Sequence, residues 1–210
     1  MKLSLITVLV AGLMSVAPAF ATAITIDFEG PTSFQSIDQY YNGGTDSAGA
    51  SGPNLGVSFG LDALDIQNDA LGPYFSNAPS PIGVMAPVGA DAAMNVAAGF
   101  EWASFWYSSI AASTVDVYSG LNGTGTLLAS FSLVNNAQSN GCTDSPFCNW
   151  SQETLSWGSK AQSIQFGNAA NIAGFDNVKV VPEPGSIALV SIGLAGFAAS
   201  RRIRRVPAIV

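Results

Sequence analysis

The sequence predicts an all-β fold, an antiparallel jelly-roll-like β-sandwich, and three observations point to it. No long stretch keeps apolar residues at helical spacing. Short runs of alternating, β-branched or aromatic residues recur along the chain instead. Clusters of Gly, Pro, Asn and Ser separate those runs, the pattern of short strands joined by turns. Residues 22–180 form this body, roughly 160 residues and enough for one buried core. A signal-peptide helix is expected before it and a short transmembrane helix after it.

The elements follow in order. "MKLSLITVLVAGLMSVAPAFATA" opens with Lys2, an apolar run and small residues at Ala19 and Ala21 around Phe20. That is a charged region, a hydrophobic region and an A-x-A site, read as a signal peptide over residues 1–21. "ITIDF" alternates Ile24, Ile26 and Phe28 against Thr25 and Asp27, the pattern of a half-buried strand. "LGVSFG" and "LDIQND" come next. Residues 68–87, rich in Pro and Ala, read as a long surface loop. In "GFEWASFWYSS", Phe100, Trp102 and Trp106 share one face while Phe105 and Tyr107 share the other, so this strand is expected at the centre of a sheet. "STVDVYSG" and "GTLLASFSLV" flank Gly120, Gly123 and Gly125. No lysine follows to make that loop a phosphate cradle, so it reads as a hairpin turn. "QETLSW", "AQSIQFG" and "IAGFDNVKVV" complete the series.

Composition limits function. Charged residues are 10% of the 210, against about 25% in an average domain. Of seven basic residues, Lys2 lies in the leader and Arg201, Arg202, Arg204 and Arg205 in the tail, leaving Lys160 and Lys179 against nearly all of the 14 acids. A body this acidic repels phosphate backbones, so nucleic acid is no partner. The chain has no histidine, which removes Ser-His-Asp and Cys-His catalysis and histidine-ligated metals.

The tail reads "VPEPGSIALVSIGLAGFAASRRIRRVPAIV". An apolar segment, 185–200, spans about 24 Å as a helix, short of the roughly 30 Å hydrocarbon core. Its glycines and the following arginines suit temporary membrane retention, with the body outside. Pro182-Glu183-Pro184, the apolar segment and the basic cluster Arg201, Arg202, Arg204, Arg205 follow in one order and spacing. Residues 181–205 thus resemble the PEP-CTERM sorting signal of Gram-negative bacteria that make exopolysaccharide. Residues 206–210 trail beyond it. The resemblance implies an exosortase partner in the inner membrane that cuts near Pro-Glu-Pro, and delivery to the cell surface or extracellular matrix. The implied role is a non-catalytic matrix protein, with a carbohydrate-binding module as the alternative and a glycan-active hydrolase third.

Candidate sites remain. Cys142 and Cys148, the only cysteines, read as a disulfide across a loop tip in an exported protein. Tyr40, Tyr41 and Trp150 are candidate glycan contacts. If the first and last strands lie side by side, Asp27 and Glu29 meet Asp176. Sugar-binding jelly rolls often hold a structural calcium between such ends, with a loop such as Asn42–Asp46 contributing. Glu29, Asp176, Asn42 and Asp27 are that candidate set; solvent-facing acids and an Asx turn at Asn177 are the competing reading.

Overall fold

The computed structural model describes residues 22–67 and 74–182, all within one compact unit. The leader, Glu183, Pro184, the apolar segment and the arginines lie outside the described residues. Among the described residues, ten strands run in chain order: β1 Ile24–Ile26, β2 Gln35–Ser36, β3 Val57–Phe59, β4 Ala63–Gln67, β5 Gly83–Pro87, β6 Ala93–Ser109, β7 Ser113–Tyr118, β8 Leu127–Leu133, β9 Ser151–Gln165 and β10 Ala173–Pro182. Two single-turn 3-10 helices, 139–141 and 167–169, are the only helical pieces among the described residues. No described helix is long and apolar enough to cross a membrane.

All pairings between these strands are antiparallel, in the order β2-β4-β5-β10-β6-β9-β7-β8, with β1 beside β10 and β3 beside β6. The two long strands belong to both layers of a β-sandwich. The far half of β6 pairs β10, while its near half pairs β3. β9 follows β6 along its length, and its last residues also pair β7. Between the halves the register breaks around Phe100, beside Gly99 and Gly158, both at positive φ. Glycine relieves the strain that a side chain would meet there, and the bulge re-aims both strands.

Two expectations change. The first strand stops at Ile26 because Phe28 adopts a left-handed φ of 58°. The turn drives the Phe28 ring inward, edge-on to Tyr41 and Phe59, and fully buried. Asp27 and Glu29 therefore do not share a strand face. The expected loop over residues 68–87 ends in β5, which lies between β4 and β10 with all five residues buried. A strand covered on both faces shows no alternation, so its sequence carries no periodic signal.

Other readings hold. β6 is central, and Phe100, Phe105 and Tyr107 are buried while Trp102 and Trp106 are half-buried. The glycine loop joins β7 to β8 as a hairpin. Phe105 packs between the layers against Phe131, Phe166 and Phe175, with ring centroids 4.8, 6.0 and 5.5 Å away. Burial of such a side chain stabilises the fold by about 1.5–3 kcal/mol.

Candidate functional site

The two ends of the body meet as expected. Ile26 pairs Val178, which brings Asp27 beside the Asp176–Asn177 bulge of β10. Asp176 is fully buried, and its oxygens are occupied. Oδ2 accepts the Ser80 N–H at 2.7 Å; Oδ1 accepts the Ser80 hydroxyl at 2.7 Å and the Asn177 N–H at 2.6 Å. The Ser80 hydroxyl also lies 2.9 Å from the Asp27 carbonyl oxygen. Burial pushes Asp176 up to about 6 despite these three donors, and the Glu29 charge adds to the rise. Glu29 spends Oε1 on the N–H groups of Ile82 and Gly83 at 3.1 and 3.0 Å. Asp27 is exposed, and its Oδ1 lies 3.4 Å from the Glu29 N–H.

Asn42 does not join them. Its side chain donates to Gln39 Oε1 and lines a separate cleft with Asn95 and Asn122. Its backbone forms an isolated antiparallel bridge with Asn54. Asp46 is instead the buried acid of that loop, accepting the N–H groups of Thr32, Ala48 and Ala50. Burial opposes ionisation of Asp46, but these donors together outweigh it and hold its carboxyl below the usual range. Among the described residues, no three Asp, Glu, His or Cys side chains stand close enough to hold a metal on their own.

Asp65 on β4 was not legible as a site residue. It is fully buried, and neither carboxylate oxygen has a hydrogen-bond partner. Burial pushes it up to about 8, with the charges of Glu29 and Asp46 adding to the effect. The Tyr41 hydroxyl is also buried without a partner. Burial pushes its pKa far above the usual phenol range, helped by the charges of Asp27 and Asp65 and opposed by the nearby Phe28 backbone. The alternation in "ALDIQ" was the available signal: Asp65 shares a strand face with Ala63, and both are buried.

The expected aromatic contacts are not exposed platforms. Tyr41 is buried because its ring closes the core beside Phe28, and Tyr40 stacks edge-on against it. The Trp150 indole N–H donates to the Ser76 carbonyl at 2.9 Å, and its ring leans on Phe75. Cys142 and Cys148 form the expected disulfide. It lies close to Asn77, whose amide donates to Asp144 and to the Cys148 carbonyl.

A mainly apolar groove of about 210 Å³ is lined by Ile66, Tyr74, Phe75, Val88, Phe147 and other residues. A polar cleft of about 260 Å³ is lined by Gln39, Asn42, Ser58, Asn95 and Asn122, with Leu121 and Phe59. The cleft has uncharged amides and a hydroxyl but no acid or base. Asn95 and Asn122 fix each other, Asn95 Nδ2 donating to Asn122 Oδ1 at 2.8 Å and the Asn122 N–H donating to Asn95 Oδ1 at 2.6 Å.

Comparison with known proteins finds the PEP-CTERM protein-sorting motif at residues 180–203. The motif implies an exported protein that crosses the membrane, is processed by an exosortase and ends on the cell surface. No curated protein matches the chain. Among solved structures it is distantly similar to a family 6 carbohydrate-binding module, at 12% identity and a TM-score of 0.36 over 58% of this chain and 95% of that one. It is similar also to the K1 cleaved adhesin domain of Lys-gingipain from Porphyromonas gingivalis, at 15% identity and 0.40 over 77% and 99%. A third is a glycoside hydrolase family 43 arabinoxylan arabinofuranohydrolase from Bacillus subtilis, at 12% identity and 0.40 over 66% and 31%.

Proposed function

We propose that this chain is a non-catalytic β-sandwich of the surface or extracellular matrix of a Gram-negative bacterium. Its tail would be held briefly in the inner membrane, and the released body would associate with exopolysaccharide. The observation that carries the reading is the continuity of fold and sorting motif. The matched residues begin at Val180, inside β10, and the sheet runs on to Pro182, which pairs Phe100. The folded body therefore ends where the sorting motif begins, with no linker between them. A cut at or after Glu183 leaves every strand intact, whereas a cut before Val181 removes paired residues from a central strand.

Intact-mass analysis of the protein recovered outside the cell tests this. The expected product starts after Ala21 and ends within a few residues beyond Pro182. Recovery of a chain that still carries Arg201 to Val210, or one that ends before Val181, would refute the reading.

A second reading, carbohydrate binding, is favoured by the neutral cleft of Gln39, Asn42, Ser58, Asn95 and Asn122. Amides and hydroxyls both donate and accept, as sugar hydroxyls do, and Leu121 adds an apolar edge. Retention of the body on the host's exopolysaccharide, lost in Asn42→Ala, would support it. Equal retention of the variant would remove the cleft from the account. For hydrolysis the supporting observation is missing: Glu29 and Asp176 accept hydrogen bonds from backbone N–H groups.

A further inference from the structure

The edge of a sheet presents unpaired N–H and C=O groups, and a fold that works alone covers, shortens or charges such edges. Most edges of this body are treated in that way. A loop covers β2: the Ser47 N–H donates to the Ser36 carbonyl at 3.0 Å, and the Ser36 N–H donates to Ser47 Oγ at 2.9 Å. β3 gives the N–H groups of Val57 and Phe59 to the carbonyls of Tyr41 and Asp38. β1 pairs β10 alone but has only three residues. The first part of β9 pairs β6 alone, yet it carries Glu153 and is interrupted by Gly158 in a left-handed conformation.

β8 is treated differently. It ends the strand order, pairs β7, and has no backbone partner on its outer side among the described residues. Its seven residues, LLASFSL, include no charge, proline or glycine. Its register irregularity lies at its start, beside Leu127, which leaves Ala129 to Leu133 in regular pairing. Phe131 and Leu133 are buried against the core, while Ser130 and Ser132 are exposed. Exposed apolar side chains, Leu127 at 52% and Val134 at 58%, flank that regular stretch.

We propose that β8 is a self-association edge, which takes the β8 of a second copy of this chain as its antiparallel neighbour about a two-fold axis at Ser130. The sequence around that axis is self-complementary, as a two-fold contact requires. Ser130 meets its own copy on the outer face, and Ala129 lies opposite Phe131 on the core side. Small thus meets large, hydroxyl meets hydroxyl, and no like charges stand opposite one another. Charge favours this edge over other surfaces for a second copy. Lys160 and Lys179 stand against nearly all of the 14 acids, so most faces of the body repel their like. The acid in register with Ser130 is Asp116 of β7. Its Oδ1 accepts the Ser130 hydroxyl at 2.6 Å and its Oδ2 accepts the Asn168 amide at 2.9 Å. In the pair, the two β7 strands lie three strand spacings, about 14 Å, apart, beyond the roughly 8 Å Debye length of physiological salt. The contact joins two sheets into one and holds whether or not the tail has been removed.

Sedimentation equilibrium of the chain as recovered from the cells that make it, its intact mass already measured, tests this. The protein should sediment at twice that mass. Ser130→Lys should weaken association at least about tenfold, because two lysines then face each other across the axis. Asp116 of the same copy accepts the new charge and keeps the fold. Thr154→Lys, at an exposed position of β9, should leave association unchanged. Ser130→Cys should form a covalent dimer on mild oxidation, since directly opposed Cβ atoms lie about 4.5–5.5 Å apart. That variant keeps the test decisive if Ser130→Lys folds poorly. The proposal fails if the unaltered protein is a monomer or binds a strand of a different protein instead. It fails also if Ser130→Lys associates as tightly as the parent, if Thr154→Lys weakens association equally, or if Ser130→Cys forms no covalent dimer.

Discussion

Ser80 joins the last strand to the first, and replacing it by alanine isolates one hydrogen bond in a pH-dependent setting. Its hydroxyl lies 2.7 Å from Asp176 Oδ1 and 2.9 Å from the Asp27 carbonyl, while its N–H donates to Asp176 Oδ2. Ser80→Ala keeps the N–H bond and that from Asn177 but removes the hydroxyl donor. A hydrogen bond to a charged group contributes about 1.5–3 kcal/mol, a neutral one about 1 kcal/mol. Asp176 has a folded pKa of about 6 against an ordinary value of 3.8. The folded state therefore binds its proton more tightly than the unfolded state. Its contribution is fully present below about pH 4 and is lost as pH rises towards 6, by roughly 3 kcal/mol. Asp46, held low, works in the opposite direction, so the useful quantity is the difference between the parent and Asp176→Asn. Urea unfolding at pH 4, 6 and 7.5 measures it. The parent should lose stability relative to Asp176→Asn between pH 4 and 6. Ser80→Ala should cost about 2 kcal/mol at pH 7.5 and about 1 kcal/mol at pH 4. Equal losses at the two pH values would show that the hydroxyl does not address a charge, and the reasoning would be wrong.

Three other outcomes follow from packing and covalent geometry. Phe105→Ala should cost about 3–5 kcal/mol in urea unfolding, since it empties a site bounded by three aromatic rings; a loss under 1 kcal/mol would mean that the layers collapse to fill it. Gly83→Ala places a Cβ against the Phe28 carbonyl, whereas Gly141, at φ 75°, has open space around it. The first should therefore destabilise more than the about 1–2 kcal/mol that a left-handed alanine costs at the second, read from their thermal midpoints. Replacing Cys142 and Cys148 together by serine opens a ring of sequence separation 6 and should cost about 2 kcal/mol by chain entropy; an unchanged midpoint would place the loop outside the cooperative unit.

The strands were legible where burial is one-sided. "STVDVYSG" and "GTLLASFSLV" alternate cleanly because β7 and β8 lie at one end of the strand order. β5 was not legible, because a strand buried on both faces has no alternation to read. The end of β1 was missed for another reason. "ITIDF" alternates through Phe28, yet Phe28 enters the core from a left-handed turn, and a single sequence does not reveal which residue accepts that strain. The meeting of Asp27 with Asp176 followed from the topology expected of terminal strands. Ser80 did not, since a serine in a Pro-rich stretch reads as loop. Asp65 was hidden because Leu64 and Ile66, apolar on the opposite face, draw attention to the wrong side of β4, where both are only half-buried.

The position of β10 links this architecture to export. It is the last strand in the chain and lies inside the sheet, with β6 on one side and β5 and β1 on the other. A central strand cannot be left out without exposing the unpaired edges of its neighbours and the core beneath Phe175, Val178 and Val180. Strand pairing over such long sequence separation also waits until the late segment is available. The sandwich therefore closes only once residues up to about 182 have emerged, which is where the sorting motif takes over. The sorting motif and the strand that completes the fold are adjacent in the chain. On this account the expected cut beyond Pro182 follows from the sheet itself: processing there releases a body whose last pairing, Pro182 with Phe100, is already made.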